Sequence, residues 1–186
     1  MGGSDSNANE KRGCFIVLEG CDRSGKTTQC KLITEKLNSE NIPAHHLHYP
    51  KRSTCIGSLV DAYLTKRLTL SDEQIHLLFA INRRETIVEI EEYLNNGTSL
   101  IVDRYSFSGI AYSSVKKGMD LAFCRATELG LPKPDATIFL DSSIADRKSR
   151  NAFGDEIYEN EDTQSRVYQF YKDHFFPDMK VIFLYR

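Results

Sequence analysis

The run Gly20-Cys21-Asp22-Arg23-Ser24-Gly25-Lys26-Thr27 satisfies G-x-x-x-x-G-K-[ST] and stands directly after the apolar stretch Cys14 to Leu18. A helical pattern begins immediately behind it, with Leu32, Ile33 and Leu37 on one face. Strand, tight turn and helix in that order leave few folds open. The glycines let backbone N–H groups point inward, and the helix adds its positive end to the same place, so the loop suits a polyphosphate. In this reading Gly20, Ser24 and Gly25 shape the turn, Thr28 continues it into the helix, Lys26 reaches the β- and γ-phosphates, and Thr27 ligates Mg2+. ATP and Mg2+ are the expected donor and ion.

Three further apolar runs, Ser99 to Asp103, Ala136 to Asp141 and Lys180 to Tyr185, recur at wide spacing, and Ala44 to Tyr49 is a weaker candidate. They are continuously apolar rather than alternating, as strands covered on both faces are. Between them, Leu77, Leu78, Ile81, Ile87, Ile90 and Leu94 keep helical spacing up to Asn95-Asn96-Gly97, which predicts one helix closed by a glycine and packed, like the first, on the sheet. The expected architecture is α/β, a three-layer nucleotide-binding fold with about five parallel strands, helices on both faces and a short lid at about 145–160.

Residues 1–12 are polar and rich in Gly, Ser and Asn, an expected disordered tail ahead of one domain spanning 13–186. Gly2 and Ser6 loosely match the myristoylation pattern. A net charge of −2 from 24 basic and 26 acidic residues gives no reason to expect a nucleic acid or an anionic membrane as partner. No apolar run approaches the roughly 18 to 20 residues that span a bilayer. Five scattered cysteines without a C-x-x-C pair read as reduced thiols of a cytoplasmic protein, with nuclear or mitochondrial pools left open.

Asp103 ends an apolar strand, where parallel sheets place ligand-binding groups, and is the natural carboxylate on the Mg2+ side or the hydroxyl side. Asp141 ends another strand and is its rival. The adjoining Arg104 favours Asp103, because a guanidinium grips phosphate oxygens in pairs. Arg23, Arg52, Arg83 and Arg150 are the other arginines suited to phosphoryl transfer. Cys21, beside Lys26 and a helix N-terminus, is expected to be an acidified thiol whose alkylation ATP blocks.

From about Gly13 to the region of Tyr168 the chain resembles thymidylate kinases of the eukaryotic and poxvirus type. The resemblance rests on Glu19 to Gln29, on Tyr49-Pro50-Lys51-Arg52-Ser53-Thr54, on Leu77-Leu78-Phe79-Ala80-Ile81-Asn82-Arg83 and on Asp103-Arg104-Tyr105-Ser106-Phe107-Ser108-Gly109; Gly130 to Asp135 and Glu156 to Glu159 add to it. It implies transfer of the γ-phosphate of ATP to dTMP, giving dTDP and ADP. In similar proteins the acid within the loop, here Asp22, contacts the 3′-hydroxyl of the acceptor sugar, and its neighbour, here Arg23, stabilises the transferring phosphate. The resemblance also implies that Arg52 and Arg104 hold the acceptor phosphate and that Pro50 follows a cis bond. Thymine would stack on Phe79 and bond Arg83, with Gly109, Tyr112 and Tyr158 around sugar and base, Arg150 in a closing lid, and a homodimer as the assembly. Without the resemblance, Phe79 reads as plain helix core, because it continues the apolar periodicity of its helix.

Family members usually continue past the last strand into an adenine-contacting loop and a final helix, which are absent after Arg186. A weak or inactive nucleotide-binding relative therefore stays open, as does a kinase for another nucleoside monophosphate. A GTPase-like switch does not, for lack of an N-K-x-D guanine signature. Arg52 with Arg104 argues for an acceptor that already carries phosphate.

Overall fold

The computed structural model describes residues 12–142 and 156–183. Five strands, β1 (Phe15–Glu19), β2 (Ala44–His48), β3 (Ser99–Asp103), β4 (Ala136–Asp141) and β5 (Lys180–Phe183), form one sheet in the order β2-β3-β1-β4-β5. All four pairings are parallel. Residues 145–155 of the expected lid, and the expected tail up to residue 11, lie outside the described residues. Arg12, counted with the tail, has its guanidinium on Asp135 at 2.7 Å.

The continuous apolar runs are explained by what covers them. Phe15, Val17, Leu100 and Val102 face one way and pack with Ile90 and Leu94 of α4 (Ile87–Asn95). Leu18, Ile101 and Leu140 face the other way and meet Cys30, Ile33 and Leu37 of α1 (Lys26–Ser39). Phe139 packs with Ile110 and Ala111 of α5 (Ser106–Ser114) and with Val167 and Tyr171 of α7 (Glu161–His174). β3 is buried at every residue because both faces are covered.

The single helix expected through Leu77 and Leu94 is two. Between α3 (Asp72–Arg84) and α4 the Thr86 hydroxyl donates to the Arg83 carbonyl at 2.8 Å, and the Thr86 backbone leaves helical angles at φ −108°. A side chain that takes a helical carbonyl for itself competes with the backbone ladder, and the helix turns there. Only α4 packs on the sheet. α3 lies against α5 and against α2 (Cys55–Leu64), where Ile75 closes a satellite core with Val60, Tyr63 and Leu64. Leu77 and Ile81, expected on the sheet side, are 42% and 43% exposed, and Leu32 is 53% exposed. α3 begins with a complete capping box of Ser71 and Gln74, and α6 (Leu121–Ala126) is capped by Asp120.

Candidate active site

Parallel pairing brings the carboxyl ends of β1, β2 and β3 to one edge of the sheet, and the segments leaving them form a cavity of about 430 Å3. From β1 comes the glycine loop. Gly20 holds φ 146°, and a Cβ there would lie 2.7 Å from the Leu140 carbonyl oxygen, so only glycine lets the loop sit down on β4. Arg23 and Gly25 also have positive φ, and α1 starts directly behind them. Lys26 is buried; its Nζ donates to the Cys21 carbonyl at 2.8 Å and lies 3.4 Å from Ser24 Oγ. Burial first, and the nearby Arg104 second, push its pKa down to about 8.

From β3 comes Asp103, whose Oδ2 accepts from the Thr27 hydroxyl. Its Oδ1 is buried and has no hydrogen-bond partner among the described residues. A buried carboxylate oxygen left unpaired beside a threonine hydroxyl, at a phosphate loop, fits Mg2+ with its preference for oxygen donors. Asp141 is not part of this site: it accepts from the Tyr168 hydroxyl at 2.7 Å and does not line the cavity. Both strands flank β1, and the Thr27 contact made by Asp103, against the Tyr168 contact made by Asp141, distinguishes the two acids.

Four of the five candidate arginines are described, and each faces a carboxylate. Arg104, at φ 65°, pairs with Asp22, donates to the Gly20 carbonyl at 3.2 Å and lies 5.3 Å over the Tyr112 ring. Arg23 reaches Glu159 at 2.9 Å. Arg52 is clasped by Asp61 and Glu156. Arg83 is buried on Glu128. Arg150 lies outside the described residues. Phe79, Gly109, Tyr112 and Tyr158 all line the cavity, and the Tyr49–Pro50 peptide at its mouth is cis. Gly20 and Ser24 shape the loop from behind without lining it.

Cys21 corrects an expectation. It is 3% exposed, packs with Ile110 and Tyr112, and its thiol lies 3.7 Å from the Gln164 carbonyl. The loop turns this side chain into the core, so the fold and not ATP shields it from alkylating reagents.

Several residues of the site had no signal in the sequence. Gln164 of α7 accepts from the Asp22 backbone N–H at 2.8 Å and donates to the Asp22 carboxylate and to the Tyr158 carbonyl. Glu19, fully buried at the end of β1, accepts from the Tyr105 and Ser108 backbone N–H groups and from the Ser108 and Tyr171 hydroxyls. It thereby fixes the first turn of α5 next to Arg104. Glu128 and Ser113 are in the same class: one polar residue, with partners far away in the chain.

With this geometry in place, comparison with known proteins is decisive. Residues 18–184 match the family model described as thymidylate kinase. The chain belongs to the thymidylate kinase family. It is 48% identical over 163 residues to a putative thymidylate kinase of Invertebrate iridescent virus 6, covering 88% of this chain and 76% of the viral one. To the thymidylate kinase of Homo sapiens it is 45% identical over 157 residues, covering 84% and 74% of the two chains. A solved thymidylate kinase from Candida albicans superposes with a TM-score of 0.84 at 36% identity, covering 92% of this chain and 84% of that one. These relatives support phosphorylation of dTMP by ATP as the reaction of the chain.

Proposed function

We infer that the chain transfers the γ-phosphate of ATP to the 5′-phosphate of dTMP, giving dTDP and ADP, with the cavity residues dividing the work as follows. The observation that carries this reading is the joining, in one cavity, of a phosphate loop at Lys26 and Thr27 with a second set of cations, Arg52 and Arg104. Two phosphate chains held end to end need little covalent help from the protein; positioning and charge stabilisation carry the rate.

Gly20, Ser24, Gly25 and Thr28 shape the donor site and Lys26 holds the β- and γ-phosphates. Thr27 and Asp103 are the residues that would hold Mg2+, which when bound offsets charge on the phosphates. Arg23, on the loop itself, is placed to stabilise the transferring group once Glu159 gives it up. Arg52 and Arg104 take the acceptor phosphate, Asp22 the 3′-hydroxyl, and Arg150 serves the closing segment. Phe79, Arg83, Gly109, Tyr112 and Tyr158 hold sugar and base, with Pro50 shaping the mouth.

A homodimer is the proposed assembly, supported by Leu77 and Ile81, one turn apart and exposed on α3, an apolar strip that a second copy covers. A cytoplasmic location is proposed as well, in keeping with cysteines that form no disulfide among the described residues and with no described helix long and apolar enough to cross a membrane.

The test is ADP production from ATP, Mg2+ and dTMP by the purified chain, with Lys26→Ala as control. Turnover by the wild type that the control lacks is expected. Faster turnover of thymidine than of dTMP would overturn the assignment of Arg52 and Arg104 to an acceptor phosphate.

A further inference from the structure

The base end of the cavity is closed by Arg83, Gly109 and Ser113, and the bonds behind these residues fix which atoms they offer. Arg83 is 3% exposed; its Nε donates to Glu128 Oε2 at 2.8 Å and its Nη2 to Oε1. Its Nη1 donates to none of the described residues, so the guanidinium presents the cavity with a donor edge and nothing else. Gly109 makes room for that placement, since a Cβ there would lie 2.3 Å from Arg83 Nη2.

Ser113, one turn beyond Gly109 on α5, can in isolation donate or accept. A chain of hydrogen bonds removes the choice. Thr127 Oγ1 donates to the Cys124 carbonyl at 3.0 Å. With the one hydroxyl proton of Thr127 assigned to that carbonyl, which only accepts, Thr127 Oγ1 accepts across its shorter, 2.7 Å contact with His76 Nε2. On this assignment His76 carries its proton on Nε2, its Nδ1 is an acceptor, and the Ser113 hydroxyl, 2.8 Å away, donates into it. Only lone pairs of Ser113 Oγ then remain for the cavity. The ring is fully buried, and burial first, then Arg83 and Lys116, hold its pKa down to about 4, against a contrary pull from the Gly109 carbonyl; at neutral pH it is uncharged.

We propose that His76 and Thr127 are positioning residues that set the polarity of base recognition, making Ser113 an acceptor beside the Arg83 donor so that the site selects a pyrimidine with a C4 carbonyl and an N3–H. This rests on the dTMP kinase reading and supplies its selectivity. Thymine and uracil match both groups. A cytosine ring places an amino donor against the Arg83 donors and a bare N3 against the Ser113 lone pair, so both contacts become repulsive. Swapping the proton on His76 reverses the preference of Ser113 without moving a heavy atom.

Two measurements test it. The first is the 15N spectrum of His76 in the wild-type chain near pH 7, where an Nε2–H tautomer is expected and an Nδ1–H tautomer overturns the relay. The second is kcat/KM for dTMP against dCMP in wild type and Thr127→Val, a substitution that keeps shape and removes the acceptor for His76. The dTMP-to-dCMP ratio is expected to fall roughly tenfold or more through a higher KM for dTMP, with kcat nearly constant. An unchanged ratio in folded Thr127→Val overturns the proposal. Failure of the underlying reading looks different: wild type that turns over no dTMP condemns the kinase assignment, whereas a wild type active on dTMP with an unchanged ratio in the variant condemns the relay alone.

Discussion

Asp22 and Arg104 form an ion pair between the loop after β1 and the turn after β3, and Gln164 holds the other oxygen of the same carboxylate. The pair neutralises a guanidinium that a phosphate would otherwise neutralise. The same holds for Arg23 with Glu159 and for Arg52 with Asp61 and Glu156. Binding of substrate phosphates is therefore an exchange of anions. Asp22→Asn releases Arg104 while keeping the side chain's shape, so dTMP affinity should hold or tighten while kcat falls by at least about 100-fold, because a sugar no longer anchored at its 3′-hydroxyl presents the 5′-phosphate out of line with ATP. Calorimetric Kd values beside steady-state kcat check this, and a weakened Kd with normal kcat would refute it.

Arg23→Ala is expected to lower kcat by about 10^3 while changing ATP affinity less than roughly threefold. A cation aimed at the transferring group matters when charge develops there, which is the behaviour of an arginine finger. Single-turnover rates at saturating ATP and dTMP are the measurement. Equal losses in kcat and ATP binding would make Arg23 a ground-state contact.

Arg52→Ala should act on the acceptor side only. It removes one of two cations for the dTMP phosphate and leaves Glu156 lining the cavity without Arg52, while Asp61 keeps Arg67, so KM for dTMP should rise about 100-fold with KM for ATP unchanged. A rise in both would place Arg52 between the two sites and not at the acceptor.

Lys26 ties ATP binding to protons. In the free protein its pKa is pushed down to about 8 by burial, so above pH 8 much of the population carries a neutral amine. Phosphate oxygens favour the charged form and raise that pKa, so ATP binding above pH 8 takes up a proton, and affinity declines as pH rises through this range. Titration calorimetry at pH 8.5 in two buffers of different ionisation enthalpy should show net uptake approaching one proton, and none in Lys26→Met. No buffer dependence would mean that Lys26 is already charged before ATP arrives.

The legible part of this chain was its periodicity and its motif. The positions of β3 and β4, the shift of β1 by a single residue and the glycine loop all follow from apolar runs and from the spacing of Gly20, Gly25 and Lys26. The break at Thr86 was missed, because each set keeps helical spacing within itself, although Ile87, Ile90 and Leu94 fall on the other side of an ideal helix from Leu77 and Ile81; in the structure the Thr86 side chain bonds the Arg83 carbonyl where the helix ends. Asp103 and Asp141 each close an apolar strand, and the sequence favoured Asp103 only through the adjoining Arg104; their contacts with Thr27 and Tyr168 separate them. Gln164, Glu128 and Glu19 were out of reach for a different reason. Their partners lie 142, 45 and up to 152 residues away in the chain, and nothing local marks a polar residue that is satisfied only by the folded whole.

His76 should make the protein acid-labile through a named group. Folded, its pKa is held down to about 4; unfolded, it returns to the usual 6.5. Between those values the unfolded chain binds more protons than the folded one, so this contribution is fully present above pH 6.5 and is lost as pH falls toward 4. A gap of that size corresponds to roughly 3 kcal/mol at most. Urea titrations at pH 7.0, 6.0 and 5.0 should show stability falling with acid. In His76→Gln, which fills similar space and carries no titrating group, the fall over the same range should be shallower by about 1 to 2 kcal/mol, though the variant starts from a lower value because its bonds to Ser113 and Thr127 are imperfect. Parallel curves for the two proteins would show that the ring is not the group that titrates.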